Sequence, residues 1–146
     1  MTRAYYRAAA VALLVYDITS RETFEAISQW LEECRANGNP EMVLLLVGNK
    51  TDLIAERTVT YEEGENFAVK NGMVFLETSA KTNFKIDDVF LKSAQIVADK
   101  INKKVIDPTN EAFGIKVGSA LSLNEPEGLR LSQKKKDKKK CCELSN

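Results

Sequence analysis

Histidine is absent from the 146 residues. With it go the commonest general base and the imidazole metal ligands, so Ser-His-Asp, Cys-His and histidine-based zinc chemistries are excluded. Cysteine is scarce. Cys34, Cys141 and Cys142 are too few and too badly spaced for a disulfide framework, and adjacent cysteines seldom bridge each other, so a reducing, cytosolic setting is expected. No run of about eighteen apolar residues occurs, and Met1-Thr2-Arg3-Ala4-Tyr5-Tyr6-Arg7 lacks the apolar core of a signal peptide. The expectation is a chain that neither spans a membrane nor enters the secretory lumen. A charge imbalance is missing too: Lys and Arg number 21 against 21 Asp and Glu, so no global field recruits nucleic acid.

What remains is a chain with 44% apolar residues, enough for one domain with a core, followed by a tail. Three apolar runs of strand length, at 12–18, 42–48 and 74–78, alternate with helical patterns. The first and second runs are continuous, as in strands covered on both faces. After the first, Thr19 and Glu22 are spaced as a capping box, and Phe24, Ile27, Leu31 and Cys34 follow at helical spacing until Asn37-Gly38-Asn39-Pro40. Cys34 is then a small core residue. Thr60 and Glu63 form a second box, opening a helix that stops at Asn71-Gly72, and Ile86, Val89, Phe90, Ala94, Val97 and Ile101 mark one face of a third. This alternation predicts an α/β fold with right-handed crossovers and a parallel sheet.

Two strand ends carry polar residues. In an open parallel sheet, ligands sit beyond the carboxyl ends of the strands, where Asn49-Lys50-Thr51-Asp52 is placed. Its chemistry suits guanine. An ionised Asp52 has only acceptors, which match the adjacent ring N–H and exocyclic NH₂ of guanine and have no such pair on adenine. Asn49 can donate and accept, and the aliphatic stem of Lys50 can lie along a flat base. A solvated turn after a strand would read the same way over four residues. The next strand, however, ends in Glu77-Thr78-Ser79-Ala80-Lys81. There Ser79 and Ala80 are small enough to let backbone N–H groups approach a base carbonyl, and Lys81 can cover the face opposite Lys50.

These two stretches resemble the guanine-base motifs of Ras-superfamily GTPases. Thr2-Arg3-Ala4-Tyr5-Tyr6-Arg7, Leu14-Val15-Tyr16-Asp17-Ile18-Thr19 and the paired cysteines are further similar to Rab signatures. The resemblance covers the C-terminal portion of a Rab. It implies an incomplete doubly wound parallel sheet of the P-loop NTPase type, with three strands and three main helices. Residues 1–104 are then a truncated Ras-like G domain and 105–146 a flexible tail. The family's phosphate-binding loop Gly-x-x-x-x-Gly-Lys-[Ser/Thr], its switch threonine, its Asp-x-x-Gly strand end and its water-positioning glutamine do not occur. The resemblance therefore implies GTP or GDP as ligand and GTP hydrolysis in the family. It leaves no catalytic residue and no Mg²⁺ ligand in this chain, which is expected to be inactive alone. In the family's strand order the run at 12–18 would lie here at an open edge.

By the same resemblance Tyr5 belongs to an aromatic cluster that effectors read. Ile115 and Val117 resemble an aliphatic pair held by Rab escort and GDP-dissociation-inhibitor type proteins. The tail ends in Lys134-Lys135-Lys136-Asp137-Lys138-Lys139-Lys140-Cys141-Cys142-Glu143-Leu144-Ser145-Asn146. Each lysine near an anionic leaflet contributes about 1 kcal/mol, and two lipidated cysteines beside a basic patch make a stable anchor. A CaaX box would need cysteine fourth from the end, where Glu143 stands. Prenylated Cys141 and Cys142 then imply the cytoplasmic face of Golgi, ER-to-Golgi intermediate or early endosome membranes, with a cytosolic pool. The leading reading is a truncated Rab-like regulator of vesicle trafficking. A non-catalytic membrane-anchored module that competes for effectors or lipidation machinery is the alternative, and an unrelated α/β binder the third.

Overall fold

A computed structural model of the chain describes residues 6–115. Tyr5, Val117, Cys141 and Cys142 lie outside the described residues, as does the lysine run. Strands β1 (Val11–Asp17), β2 (Val43–Asn49) and β3 (Val74–Glu77) form one parallel sheet in the order β1-β2-β3. Leu14 pairs with Leu46, and Leu46 with Phe75. The strand ends differ by a residue from the apolar runs because hydrogen bonding, not hydropathy, sets them. Ile18 is fully buried yet lies beyond β1; its N–H still donates to the Asn49 carbonyl, while its own carbonyl accepts the N–H groups of Thr58 and Val59.

Helices α1 (Arg21–Glu25), α2 (Ile27–Asn37) and α3 (Tyr61–Lys70) pack on one face of the sheet, and α4 (Ile86–Asn102) on the other. Beside two short 3-10 helices, Thr51–Glu56 and Glu111–Phe113, the α-helices α1–α4 among the described residues number four where three main ones were expected, because one predicted helix divides at Ala26. The backbone there stays helical (φ −63°, ψ −20°), so the break is in the hydrogen-bond pattern and not in direction.

Of the two expected capping boxes, one forms. Thr60 accepts from the Glu63 N–H at 3.2 Å, and the Glu63 carboxylate accepts from the Thr60 N–H at 2.9 Å, which satisfies two helix-end donors reciprocally. Arg21 reaches the same carboxylate from α1 at 2.7 Å. That guanidinium, then the Thr60 N–H, pull the Glu63 carboxyl down to about 2. Thr19 caps nothing. Its hydroxyl and N–H both donate to Asp17 Oδ1, at 2.7 and 2.8 Å, and Ser20 takes the N-cap position without a side-chain bond.

The inward face of α4 also departs from the expected stripe. Val89 is buried and Val97 packs beside it, but Phe90 is 61% exposed and Ala94 is exposed, while Ser93 and Ile96 turn inward. Helical spacing cannot flag Ser93 as an interior residue, because its polarity is cancelled locally: the hydroxyl donates to the Val89 carbonyl at 2.6 Å. Beyond α4, Ile106 falls in the segment expected to be tail, yet it is 2% exposed. Its N–H bonds the Lys100 carbonyl, and Lys100 Nζ donates to the Glu41 carbonyl at 2.8 Å, so the chain is tied under the foot of the sheet.

Tyr16 occupies the α1–α3 layer, 2% exposed, with its hydroxyl unpartnered among the described residues. Burial, and then nearby Glu77, hold this phenol well above its ordinary pKa. Two glycines make room for the ring: a Cβ on Gly48 would stand 2.9 Å from the hydroxyl oxygen, and one on Gly64 would stand 2.6 Å from it and 2.6 Å from Phe75 Cζ. Gly64→Ala should therefore destabilise the chain despite alanine's helix preference. Overpacking costs about 1–3 kcal/mol against about 1 kcal/mol of helix propensity. Urea denaturation should show the loss, partly recovered by adding Tyr16→Phe; a more stable Gly64→Ala would mean that the layer has slack.

Candidate base-recognition site

The carboxyl ends of β2 and β3 are joined beyond their strand pairing. The Thr78 N–H donates to the Gly48 carbonyl at 2.8 Å and the Thr51 N–H to the Thr78 carbonyl at 3.1 Å, so the two loops run as one strap. Side chains close it. Asn49 Oδ1 accepts from the Ala80 N–H at 3.0 Å and from the Thr78 hydroxyl at 3.4 Å, which leaves its amide nitrogen as the end free to donate. The Ser79 hydroxyl donates to Asp52 Oδ1 at 2.5 Å and accepts from the Thr82 N–H at 3.2 Å. Asp52 Oδ2 lies 3.9 Å from Lys81 Nζ, too far for a hydrogen bond, and so keeps acceptor capacity.

The expected residues Asn49, Lys50, Asp52, Ser79, Ala80 and Lys81 thus converge on one rim, with one difference from the expected chemistry. The N–H groups of Ser79 and Ala80 are engaged within the protein, Ser79 with the Phe84 carbonyl and Ala80 with Asn49. Their small side chains serve the loop's own closure, because Ser79 and Phe84 exchange both N–H···O bonds at 3.1 and 3.0 Å. Asn83 (φ 61°) and Lys85 (φ 54°) supply the left-handed backbone that this turn requires.

Lys50 is also left-handed (φ 72°, ψ 37°), and its Nζ reaches back to Asp17 Oδ2 at 2.6 Å. Asp17 is the neighbour of the rim that sequence reasoning missed. Burial opposes its ionisation, but Lys50 and the N–H and hydroxyl of Thr19 outweigh burial and hold the carboxyl below the usual range. The available signal was its position as the last residue of β1, opposite Asn49 in the register. With the ammonium fixed there, the Lys50 methylenes run along the rim, half exposed. Clefts flank the strap on both sides. One of about 400 Å³ is lined by Thr51, Asp52, Ile54, Arg57, Glu77 and Phe84; the other, about 210 Å³, includes Asn49, Thr78, Ala80 and Phe90.

A family model described as the Ras family matches residues 1–99. The chain belongs to the Ras family. It is accordingly a small-GTPase type of nucleotide-binding domain, and its sheet, helices and strap are those of an incomplete Ras-like α/β fold. Ras-family domains bind GTP or GDP with Mg²⁺. The donor set at the rim fits the base: one amide donor, one carboxylate with a free oxygen and two lysine stems. Among the described residues no group of three or more His, Cys, Asp or Glu could hold a metal ion.

Arg57 and Glu77 anchor the strap from below. The guanidinium meets the carboxylate at 2.6 and 2.9 Å and donates to the Val59 carbonyl at 3.0 Å, with the two side chains only 18% and 11% exposed. Arg57→Met should destabilise the chain by about 2–4 kcal/mol, because a mostly buried carboxylate loses its partner. Arg57→Met with Glu77→Leu should recover most of that loss in urea denaturation. A single-variant cost under about 0.5 kcal/mol would show the pair to be only surface-like.

Proposed function

We propose that this chain is a Rab-type guanine-nucleotide-binding protein of vesicle trafficking, in which Asn49 and Asp52 select the base and Lys50 and Lys81 flank it. The observation that carries this reading is the interlock of Asn49 with Ala80 and of Asp52 with Ser79, which holds both polar side chains in place before a ligand arrives. A bound guanine supplies further donors to the Asp52 carboxylate, whose Oδ1 already accepts from Ser79 and whose Oδ2 keeps acceptor capacity. The Asn49 amide faces an acceptor on the base, and the Lys50 and Lys81 stems shield its two faces.

Phosphate chemistry is a separate matter. The 146 residues contain no phosphate-binding loop, and phosphoryl transfer depends on the charge and positioning that such a loop supplies. The chain by itself should bind guanine nucleotides weakly, with a dissociation constant near or above about 0.1 mM, and should not hydrolyse GTP. Titration with GDP and XDP, with and without Mg²⁺, followed by amide NMR shifts at residues 49–52 and 78–82, tests both parts. Asp52→Asn should weaken GDP by about tenfold or more, the worth of a charge-assisted pair of hydrogen bonds, and favour XDP, whose oxygen replaces the amino group. Micromolar, Mg²⁺-dependent binding would overturn the weak half-site; unchanged GDP affinity in the variant would remove Asp52 from base selection.

The Rab assignment rests on Tyr16-Asp17-Ile18-Thr19, on Tyr5, Ile115 and Val117 as contacts for effectors and for escort and GDP-dissociation-inhibitor type proteins, and on the lysine run before Cys141 and Cys142. Its location is the cytoplasmic face of endomembranes along the Golgi and early endosome routes, with a cytosolic pool. Incubation of the full chain with escort protein, prenyl transferase and geranylgeranyl diphosphate should add two prenyl masses. An unchanged intact mass beside a modified control would sink this lipidation.

A further inference from the structure

Two lysines border the rim, and the structure holds them differently. Lys50 Nζ lies 2.6 Å from Asp17 Oδ2, a full ion-pair contact, whereas Lys81 Nζ stands 3.9 Å from Asp52 Oδ2, beyond hydrogen-bond reach. The Lys50 side chain is 51% exposed and that of Lys81 78%. One ammonium is tethered and the other is not.

The tether is itself held in place. Asp17 closes β1, and the register sets it opposite Asn49, the residue before Lys50. One step further the Ile18 N–H donates to the Asn49 carbonyl at 3.1 Å, so the two chains stay joined beyond the paired residues. The Thr19 N–H and hydroxyl both donate to Asp17 Oδ1, at 2.8 and 2.7 Å, and the Thr23 hydroxyl accepts from the Asp17 N–H at 3.0 Å. These bonds orient the carboxylate and occupy one oxygen, leaving the other for Lys50. The Asp17 side chain is 18% exposed, so its attraction for the ammonium is less screened than that of a surface pair. Asp52 and Glu56 also attract this ammonium, but among the described residues only Asp17 forms an ion pair with it.

The backbone of Lys50 adds a second observation. Its φ of 72° and ψ of 37° are left-handed, a conformation that costs free energy for a residue with a Cβ and persists where the surroundings fix it. Glycine would relieve that cost but would carry no stem. The position instead combines a strained backbone with a long aliphatic stem whose far end is pinned to the neighbouring strand. A stem fixed at both ends has little rotamer freedom left to lose when a flat ligand comes to lie on it, whereas ordering a free side chain weakens binding.

We propose that Asp17 is a positioning residue of the base site: with Thr19 on one oxygen and Lys50 on the other, it holds the Lys50 stem as a preset wall for the purine, while Lys81 is a free cover ordered only by a bound base. This inference rests on the base-recognition reading above and deepens it, since Asp17 belongs to neither strand-end motif and acts through Lys50. Asp17→Asn cuts the tether selectively. The amide oxygen still accepts from Thr19, and an amide nitrogen, which only donates, replaces the acceptor that faced the ammonium.

The test uses the isotope-labelled full 146-residue chain and GDP as the probe. Without nucleotide, side-chain nitrogen relaxation should report a more ordered ammonium at Lys50 than at Lys81 in the wild type, and equal order in Asp17→Asn. Equal order already in the wild type overturns the proposal. With GDP, Asp17→Asn should weaken binding roughly two- to tenfold, the effect of having to order one long side chain. Lys50→Met keeps an unbranched stem without its tether and should weaken binding by a similar factor, and Asp17→Asn added to Lys50→Met should bring no further loss. A merely structural Asp17 would not show that coupling, so a full further loss in the double variant overturns the action through Lys50. The amides of Leu45 and Leu46 should keep their wild-type shifts in every variant. If Asp17→Asn unfolds the chain, Lys50→Met decides, and unchanged GDP affinity there overturns the proposal. Asp52→Asn separates the two readings: no loss of GDP affinity in that variant ends base recognition and the positioning role together, whereas a loss there beside unchanged affinity in Asp17→Asn overturns the positioning role alone.

Discussion

The Arg57–Glu77 pair is the interaction on which the functional end of the sheet depends. It joins the turn that follows β2 to the last residue of β3, one position before Thr78 starts the second loop. With Glu77 so held, the Thr78 N–H meets Gly48 and the Thr78 carbonyl meets Thr51, and only then do Asn49 and Asp52 find Ala80 and Ser79. Two loops far apart in sequence become one rigid strap. Because both charges are largely shielded from water, their attraction is less screened than that of a surface pair, and loss of either partner leaves an isolated charge. The Tyr16 ring, wedged beside Glu77 and the two glycines, stiffens the floor beneath the pair.

A strap preformed in this way has a binding consequence. Side chains already held in place lose little freedom when a ligand arrives, so even a few hydrogen bonds can discriminate between bases. Affinity is another matter, since in the proposed role the strap would meet only the base of a nucleotide. Membership in the Ras family shows a nucleotide-binding type of domain, and the proposed base selection draws on the side chains that the strap holds in place.

Much of this was legible in the sequence, and the failures have physical causes. The continuous run Met42–Gly48 identified the central strand because both its faces are covered, and Thr60 with Glu63 identified a true cap because the partners of a capping box are local. Thr19 with Glu22 has the same spacing and fails, since the nearby Asp17 carboxylate is a stronger acceptor for the Thr19 hydroxyl than Thr19 is a cap. On α4, periodicity placed Phe90 on the inward face and did not flag Ser93. The reverse holds because no element covers the β1 side of that helix among the described residues, and because Ser93 satisfies its own hydroxyl. The six motif residues Asn49, Lys50, Asp52, Ser79, Ala80 and Lys81 lie on one rim, whereas the place of Asp17 beside Lys50 arises only through the strand register that sets it opposite Asn49.

The tie beneath the sheet has a mechanical consequence. Residues after Ile115 are connected to the domain through Ile106, through Lys100 on Glu41 and through Ala112 on Asn39, all at the foot of the strands, whereas the strap stands at their other end. A pull on the C-terminal segment is therefore delivered to the base of α4, along a helix of 17 residues, and the first bonds to carry load are those at the foot. The rim lies at the far end of the lever and is the last part of the domain to feel the tension.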